Sequence, residues 1–536
     1  MHNILLAVVA ISWAAVSAQV PEQEITALFE LYHSTNGTSW RWRDESISGS
    51  KWNFTRDGDG IFLENPCSRN WQGITCSKNA QLCSFQTCQI TELRLPAYNL
   101  TGSIPSEIGN LVALQWLLLI ANALTGSIPS EVGNLEVLVA LDLSFNKLTA
   151  SIPRNISNLV MLDILYLAGN ALTGTIPSEI GNLVALINID LGLNFLSGSI
   201  PSEIGNLVVL EILDLDHNRL SKFIPNEIGD LKMLTDFDLR SNSLTGSIPP
   251  AVGNLISLEF LYINDNALTG SIPSGIGNLV GLERFDLENN ALTSSIPNEM
   301  GNLLVLRWLD LSGNALSGSI PGNIGNVVTL EYLDLSINAL TQSIPSEIGN
   351  LLVLEVLYLD NNALTGPVPR EVGNLEVLER LDLESNVLTG SIPMETGNLL
   401  LLARLDFGNN ALTGSIPTKL GSLVLLQWLV LAYNSLVGPI PRDIGNIVGL
   451  ETLDFSDNSL SHSIPNELQN LVKLQFLFLQ ANSLTGRIDR VFNTSTQRVL
   501  EVIDLTDNLL SGYNLDEIVF LLPKIRVLAL SGMYYE

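Results

Sequence analysis

Residues 138–153 read Leu138-x-x-Leu141-x-Leu143-x-x-Asn146-x-Leu148, with Ile152-Pro153 a few residues on. Leu141 and Leu143 alternate with period two, so they mark a short strand with both leucines on the inner side. Asn146 stands where the chain leaves that strand. A buried amide there can bond the open backbone groups of the turn and of a neighbouring coil. In the Thr-Gly-Ser-Ile-Pro stretches the glycine frees a turn on the far side. The proline then opens a short helical segment, such as Pro129-Ser130-Glu131.

The asparagine recurs. From Asn122 to Asn482 its slot returns every 24 residues, in fifteen steps without an insertion. Asn508 follows after a step of 26, and Tyr98 holds the slot one step before Asn122. A fixed period of this size marks stacked supersecondary units. One unit cannot bury its leucines alone, whereas stacked units share a continuous core. The pattern predicts one elongated α/β solenoid with about 19 parallel strands on a concave sheet and short 3-10 or turn segments on the convex side. The strands are Leu93-x-Leu95, sixteen Asn-terminated units, Ile503-x-Leu505 and Leu528-x-Leu530. The expected divisions are a leader over 1–18, an N-terminal cap over 19–91, repeats over 92–490, and last repeats with a C-terminal cap over 491–536.

Composition agrees with a solenoid. Of 536 residues, 46% are hydrophobic and 15% charged, against a usual charged share of about 25%. That excludes a disordered chain. The 41 glycines and 23 prolines exclude a long coiled coil. A net charge of −29 argues against nucleic acid and anionic membrane surfaces as partners.

Ile4 to Ala15 is mostly apolar, and Val16-Ser17-Ala18 fits a signal-peptidase site, which predicts secretion with a mature end near Gln19. No later segment has about 18 uninterrupted apolar residues, so no transmembrane helix of its own is expected. Four clustered cysteines, Cys67, Cys76, Cys83 and Cys88, behind a leader read as two disulfides. Three pairings are possible, and the sequence-local one, Cys67–Cys76 with Cys83–Cys88, is expected. Sequons at Asn36, Asn53, Asn99, Asn155 and Asn493 are the candidate glycosylation sites.

The string Leu-x-x-Leu-x-Leu-x-x-Asn-x-Leu-Thr-Gly-Ser-Ile-Pro-x-x-Ile-Gly-Asn-Leu, seen from Leu114 to Leu135 with Val132 for the last Ile, resembles the 24-residue, plant-type leucine-rich repeat. The resemblance covers about residues 92–536. Asn65-Pro66-Cys67 and Trp71-x-Gly73-Ile74-x-Cys76 are similar to the disulfide-bonded N-terminal cap of that class, while Cys83 and Cys88 depart from its simplest form. No kinase domain follows the repeats. The resemblance implies a leucine-rich repeat horseshoe and extracellular recognition, as in receptor ectodomains and secreted inhibitors of hydrolases.

No catalytic constellation is legible. His2, His33, His217 and His462 are scattered, and no zinc-protease, hydrolase or P-loop string occurs. Asp57-Gly58-Asp59-Gly60 lacks the further ligands of a calcium loop and reads as a turn. Neither a metal nor a cofactor is expected.

Outward residues between the inner leucines are Asp in eleven units, Asp142 through Asp504. That column reads as a solvated strand face, with a track for cations as the functional alternative. Tyr166, Tyr262 and Tyr358 interrupt it at intervals of 96 residues, which duplication of a four-repeat block explains without a ligand. The preceding outward column holds Arg284, Trp308, Tyr332, Val356, Arg380, Arg404 and Trp428, with Arg307 beside Trp308. Arg, Trp and Tyr together are the usual composition of a binding hot spot. Arg284, Arg307, Trp308, Tyr332, Arg380, Arg404 and Trp428 are therefore the candidate ligand-binding residues, although each Arg would also neutralise an Asp. The expected function is recognition of an extracellular protein or peptide, with a membrane co-receptor as a possible second partner. Alternatives are inhibition of an extracellular hydrolase and binding of ice or a surface through the Thr column of Thr125, Thr149, Thr173, Thr245, Thr269 and Thr293.

Overall fold

The computed structural model describes residues 20–77, 88–488, 491–492, 496–511 and 524–530. The expected leader, Cys83, Asn493 and much of the C-terminal segment lie outside the described residues. The chain forms two compact units, Met1–Ser221 and Lys222–Glu536.

The first unit opens with helix α1 (Glu22–Ser34), whose Leu28 and Leu31 are fully buried. Trp71 stacks on Trp52 at 5.8 Å and meets Phe54 edge-on at 4.9 Å, so aromatic rings fill the cap. Cys67 is bonded to Cys76, with Cα atoms 5.9 Å apart. Cys88 is also disulfide-bonded. Glu24 on α1 accepts the Ile90 N–H at 2.8 Å and ties the helix to the first repeat. Strand β1 (Ile74–Cys76) runs antiparallel to β2 (Ile90–Arg94). Five parallel strands follow β2, with Leu93, Leu117, Leu141, Leu165, Ile189 and Leu213 in register.

The second unit repeats this coil thirteen times. Its inner column runs in register from Phe237 through Leu261, Phe285 and Leu309 to Ile503 and Leu528. Six parallel strands in the first unit and thirteen in the second match the nineteen expected, and β1 is the antiparallel addition. The coils from Ser106 to Asn470 each carry a five-residue 3-10 turn such as Asn298–Asn302, with the preceding proline as its N-cap residue rather than inside it.

The Thr-Gly-Ser stretches do more than turn. Residues such as Ala267–Gly270 and Ala291–Ser294 pair as short parallel strands, forming a second ladder on the flank. Thr hydroxyls in it donate to the glycine carbonyl of the preceding coil, as Thr269 does to Gly246 at 3.3 Å and Thr413 to Gly390 at 3.3 Å. Thr125 and Thr341 make the same bond, to Gly102 at 3.0 Å and Gly318 at 3.3 Å, so these four hydroxyls tie adjacent coils together. The glycine slot is left-handed, with φ of 78° at Gly246, and only glycine adopts that without cost. Ala150, Lys222, Ser294, Gln342 and His462 nevertheless occupy it at φ of 65–70°.

The Asn column spans coils as anticipated. Asn290 Oδ1 accepts the Leu268 N–H at 3.0 Å, and its Nδ2 donates to the carbonyls of Ile263, Leu287 and Glu288 at 3.0, 3.2 and 3.3 Å.

The Asp column is not a solvated face. Each of the eleven carboxylates accepts the backbone N–H two residues on, as Asp310 does from Ser312 at 3.0 Å and Asp406 from Gly408 at 3.1 Å. Asp238, Asp286, Asp310, Asp334, Asp382 and Asp406 are buried. A short acceptor at that slot closes the turn that every coil must make. Burial pushes Asp334 and Asp382 up to about 6. Burial and the neighbouring Asp382 carboxylate push Asp406 up to about 7.

Removing the Asn290 amide orphans backbone groups, and Asn290→Ala should cost roughly 1–3 kcal/mol, read as a lower denaturant midpoint. At the apolar slot of the 3-10 turns, Thr396 stands where neighbouring coils have Val372 and Leu420. It is 1% exposed, and its Oγ1 has no hydrogen-bond partner. Thr396→Val should therefore raise stability by about 1 kcal/mol. The buried aspartates bind protons on folding, because their folded values lie above the unfolded value of about 3.9. Their stabilising contribution is complete below that value and is lost as pH rises through 6–7. Denaturation across that window should show a more stable protein on its acid side. Asp406→Asn, which keeps the acceptor and removes the titration, should flatten the slope.

Candidate functional site

Within the second unit each strand turns two side chains outward, and parallel register stacks each kind into a column. Register places Arg284 beside Trp308, Trp308 beside Tyr332, Arg380 beside Arg404 and Arg404 beside Trp428. Aligned columns let flat groups in successive coils lie face to face.

The result is a ladder. The Arg240 guanidinium lies 4.9 Å from the Tyr262 ring, and Arg284 lies 5.3 Å from Tyr262 on its other neighbouring strand. Arg284 also covers the Trp308 ring at 4.2 Å. Trp308 stacks on Tyr332 with centroids 3.6 Å apart and planes within 3°. Tyr332 meets Tyr358 edge-on at 6.2 Å, and Tyr358 hydrogen-bonds Arg380. Burial pushes the Tyr332 phenol well above its ordinary value, and its OH donates to Asp334 Oδ2 at 3.2 Å.

The arginines are paired from below. Arg240 lies 2.7 Å from Asp238, Arg284 lies 3.6 Å from Asp286, and Arg404 bridges Asp382 and Asp406 at 3.1 Å each. The carboxylate oxygens of Asp382, Glu384 and Asp406 converge within 4.8 Å, as do those of Asp286, Glu288 and Asp310. Arg404 supplies the countercharge to the first group. Burial and the nearby carboxylates, Asp310 foremost, push Glu288 up to about 7.

The seven sequence candidates separate into three settings. Arg284, Trp308 and Tyr332 are internal members of the ladder. Both faces of Trp308 are covered, so it offers an edge and not a stacking surface. Arg307 stands off the ladder and pairs with Glu331 of the next coil at 2.5 Å. Arg380, Arg404 and Trp428 line one open depression of about 560 Å³, together with Tyr358, Asp360, Asp382, Ala403, Gln427 and Glu451. Arg404 approaches the Trp428 ring at 4.9 Å, and Trp428 is 37% exposed. Arg380 is exposed, and among the described residues it has no carboxylate within 4.0 Å.

Tyr262 and Tyr358, which duplication alone seemed to explain, are members of the same ladder. The signal for them was available: each stands on the strand before one that carries an arginine, Arg284 or Arg380, diagonal to it in register. Tyr166 belongs to the first unit, where its neighbours are Asp142, Asp190 and Asn188.

Two family profiles match the chain, the "Leucine-rich repeat region" over residues 197–320 and the "Leucine Rich Repeat" over 137–159, 161–183, 329–351, 353–375 and 449–471. Comparison with curated proteins gives no match. Among solved structures, the plant peptide hormone receptor RGFR1 in complex with RGF2 is 33% identical. The match covers 87% of this chain and 84% of the receptor, with a TM-score of 0.76. A TDR receptor is 31% identical over 82% of this chain and 84% of its own, at 0.71. The Arabidopsis receptor kinase HAESA, solved with the peptide hormone IDA and the co-receptor SERK1, is 30% identical over 96% of this chain and 90% of its own, at 0.66. Identity of 30% or more over most of each relative, carried on the same 24-residue coil, shows that the chain belongs to the plant-type leucine-rich repeat family.

Proposed function

We propose that the chain is an extracellular recognition module that binds a peptide or a protein segment in the depression between Tyr358 and Glu451. The observation that carries this is the placing in one depression of Arg380, an exposed cation with no carboxylate within 4.0 Å among the described residues, and Trp428, an aromatic ring open to solvent. One offers charge-assisted hydrogen bonds to an anionic group and the other an apolar contact, the two anchors of an interface hot spot. Several structural relatives are solved with peptide hormones, and one with a co-receptor as well. The work is binding, not catalysis.

The Cys67–Cys76 bond supports the secretory route, as do Asn36, Asn53, Asn99 and Asn155, all exposed and ready for glycans. No described helix is long and apolar enough to cross a membrane. The ladder leaves no flat ring face open between Arg284 and Tyr332, which argues against a sugar-stacking platform there.

A pull-down from extracellular extract, followed by calorimetry on the recovered peptide, tests the proposal. Arg380→Ala and Trp428→Ala should each weaken binding by about thirtyfold, the effect of losing roughly 2 kcal/mol at a hot spot, without changing the melting temperature. Trp308→Ala should lower the melting temperature first, because it removes a ring packed on both faces. Wild-type affinity in both depression variants would refute the assignment.

A further inference from the structure

After a 3-10 turn the chain passes a buried Leu, Val or Ile, and the residue next to it faces solvent, in some coils with its successor, as Leu304 and Val305 do. In the second unit that slot runs from Lys232 to Val472 in steps of 24 and is apolar in nine of eleven coils. Ile256, Val280, Leu304, Val328 and Leu352 make five in succession, and four more run from Leu400 to Val472. All nine are 43–60% exposed.

The coil does not require an apolar residue there. Lys232 and Glu376 fill the slot and keep its backbone bond, donating to Asp230 O at 3.0 Å and Asn374 O at 2.9 Å. Leu304 and Leu352 make the same bond to Asn302 and Asn350, at 3.0 and 2.9 Å. Nor has one residue simply been copied, because Ile, Val and Leu replace one another while their class is kept. A contiguous exposed apolar ridge on a soluble protein marks an interaction surface.

The border of the ridge defines what fits it. Three residues beyond the apolar slot stand Glu259, Glu283, Glu331, Glu355 and Glu379, stacked coil on coil by bonds such as Glu355 N–H to Glu331 O at 2.8 Å. Arg307 is the one break among these, and it pairs with Glu331. On the opposite side lies a neutral column, Asn254, Asn278, Asn302, Asn326 and Asn350. The sequence has no sequon between Asn155 and Asn493, so no N-glycan shields the ridge.

We propose that this ridge docks a polypeptide partner whose contact face is an apolar strip bordered by lysine or arginine. Apolar burial supplies the attraction, and the one-sided glutamate rail sets the charge and orientation of the partner. A second copy of the chain would bring the same rail and a further −29 of charge, so like-charge repulsion opposes self-pairing. The ridge shares no residue with the concave depression and stands independently of it.

The probe is a synthetic amphipathic helix with leucines along one face and lysines beside them, titrated against the full chain by fluorescence anisotropy. Wild type should bind, and more weakly as salt rises. Leu304→Ser, Val328→Ser and Leu352→Ser together should weaken binding by about tenfold or more with an unchanged melting temperature. Glu331→Gln, Glu355→Gln and Glu379→Gln together should weaken binding and reduce its salt dependence. Glu299→Gln, Glu347→Gln and Glu371→Gln, which remove as many charges from the 3-10 turns, should leave it unchanged. Absence of wild-type binding would overturn the proposal, as would equal binding by the serine variant or equal loss in both glutamine variants. Self-association of wild type that the serine variant abolishes would overturn it too, by showing that a second copy is the occupant.

Discussion

Everything in this structure depends on one amide reaching between coils. Along the column an asparagine satisfies the carbonyls of its own turn with Nδ2 while Oδ1 holds a backbone N–H of the preceding coil, as Asn290 does with Leu268, 22 residues earlier. The bond closes even across the one longer step, where Asn508 Oδ1 accepts the Leu484 N–H at 3.0 Å, 24 residues earlier. It also fixes register. Once coils cannot slip, every slot becomes a column, and chemistry placed at a slot is repeated or varied along a straight line.

The concave face follows from that lattice and from the cost of burying charge. A carboxylate at the end of each strand is an efficient turn acceptor, yet stacking it coil after coil puts like charges together in poor solvent. Two responses are visible. Several aspartates are pushed toward protonation, and arginines are drawn down onto some of the same carboxylates, as Arg404 is onto Asp382 and Asp406. The arginine planes then lie flat against tyrosine and tryptophan in the next coil. Over Arg284 to Tyr332 the candidate stripe also forms a neutralising layer on the aspartate column. Beyond Arg380 the Trp428 ring is open to solvent.

The fold was legible because periodicity is a one-dimensional signal. Leu141-x-Leu143 and Asn146 carry the strand and the turn, and repetition supplies the rest. The second ladder was not legible, since Thr-Gly-Ser has the composition of a turn whether or not it pairs with the coil beside it. The burial of Asp310 or Asp406 was equally hidden: outward alternation implies solvent, and only the position of the N–H two residues on shows otherwise. For the candidate binding residues, composition pointed to Trp308 and Trp428 alike. The difference between them is what stands 24 residues away, Tyr332 against one and Thr452 against the other. Columns, not single coils, are the unit in which such a face has to be read.

The left-handed glycine slot on the flank has a consequence of its own. A side chain forced into it costs about 1–2 kcal/mol, so most coils leave the line bare. Lys222, Gln342 and His462 break the rule, all exposed, and they stand 120 residues apart, five coils each time. A solenoid of near-identical coils gives a sliding partner nothing to distinguish one register from the next. Lys222, Gln342 and His462 are the large side chains on that line, with only the short Ala150 and Ser294 beside them, so they are the features by which one coil of the flank differs from the next.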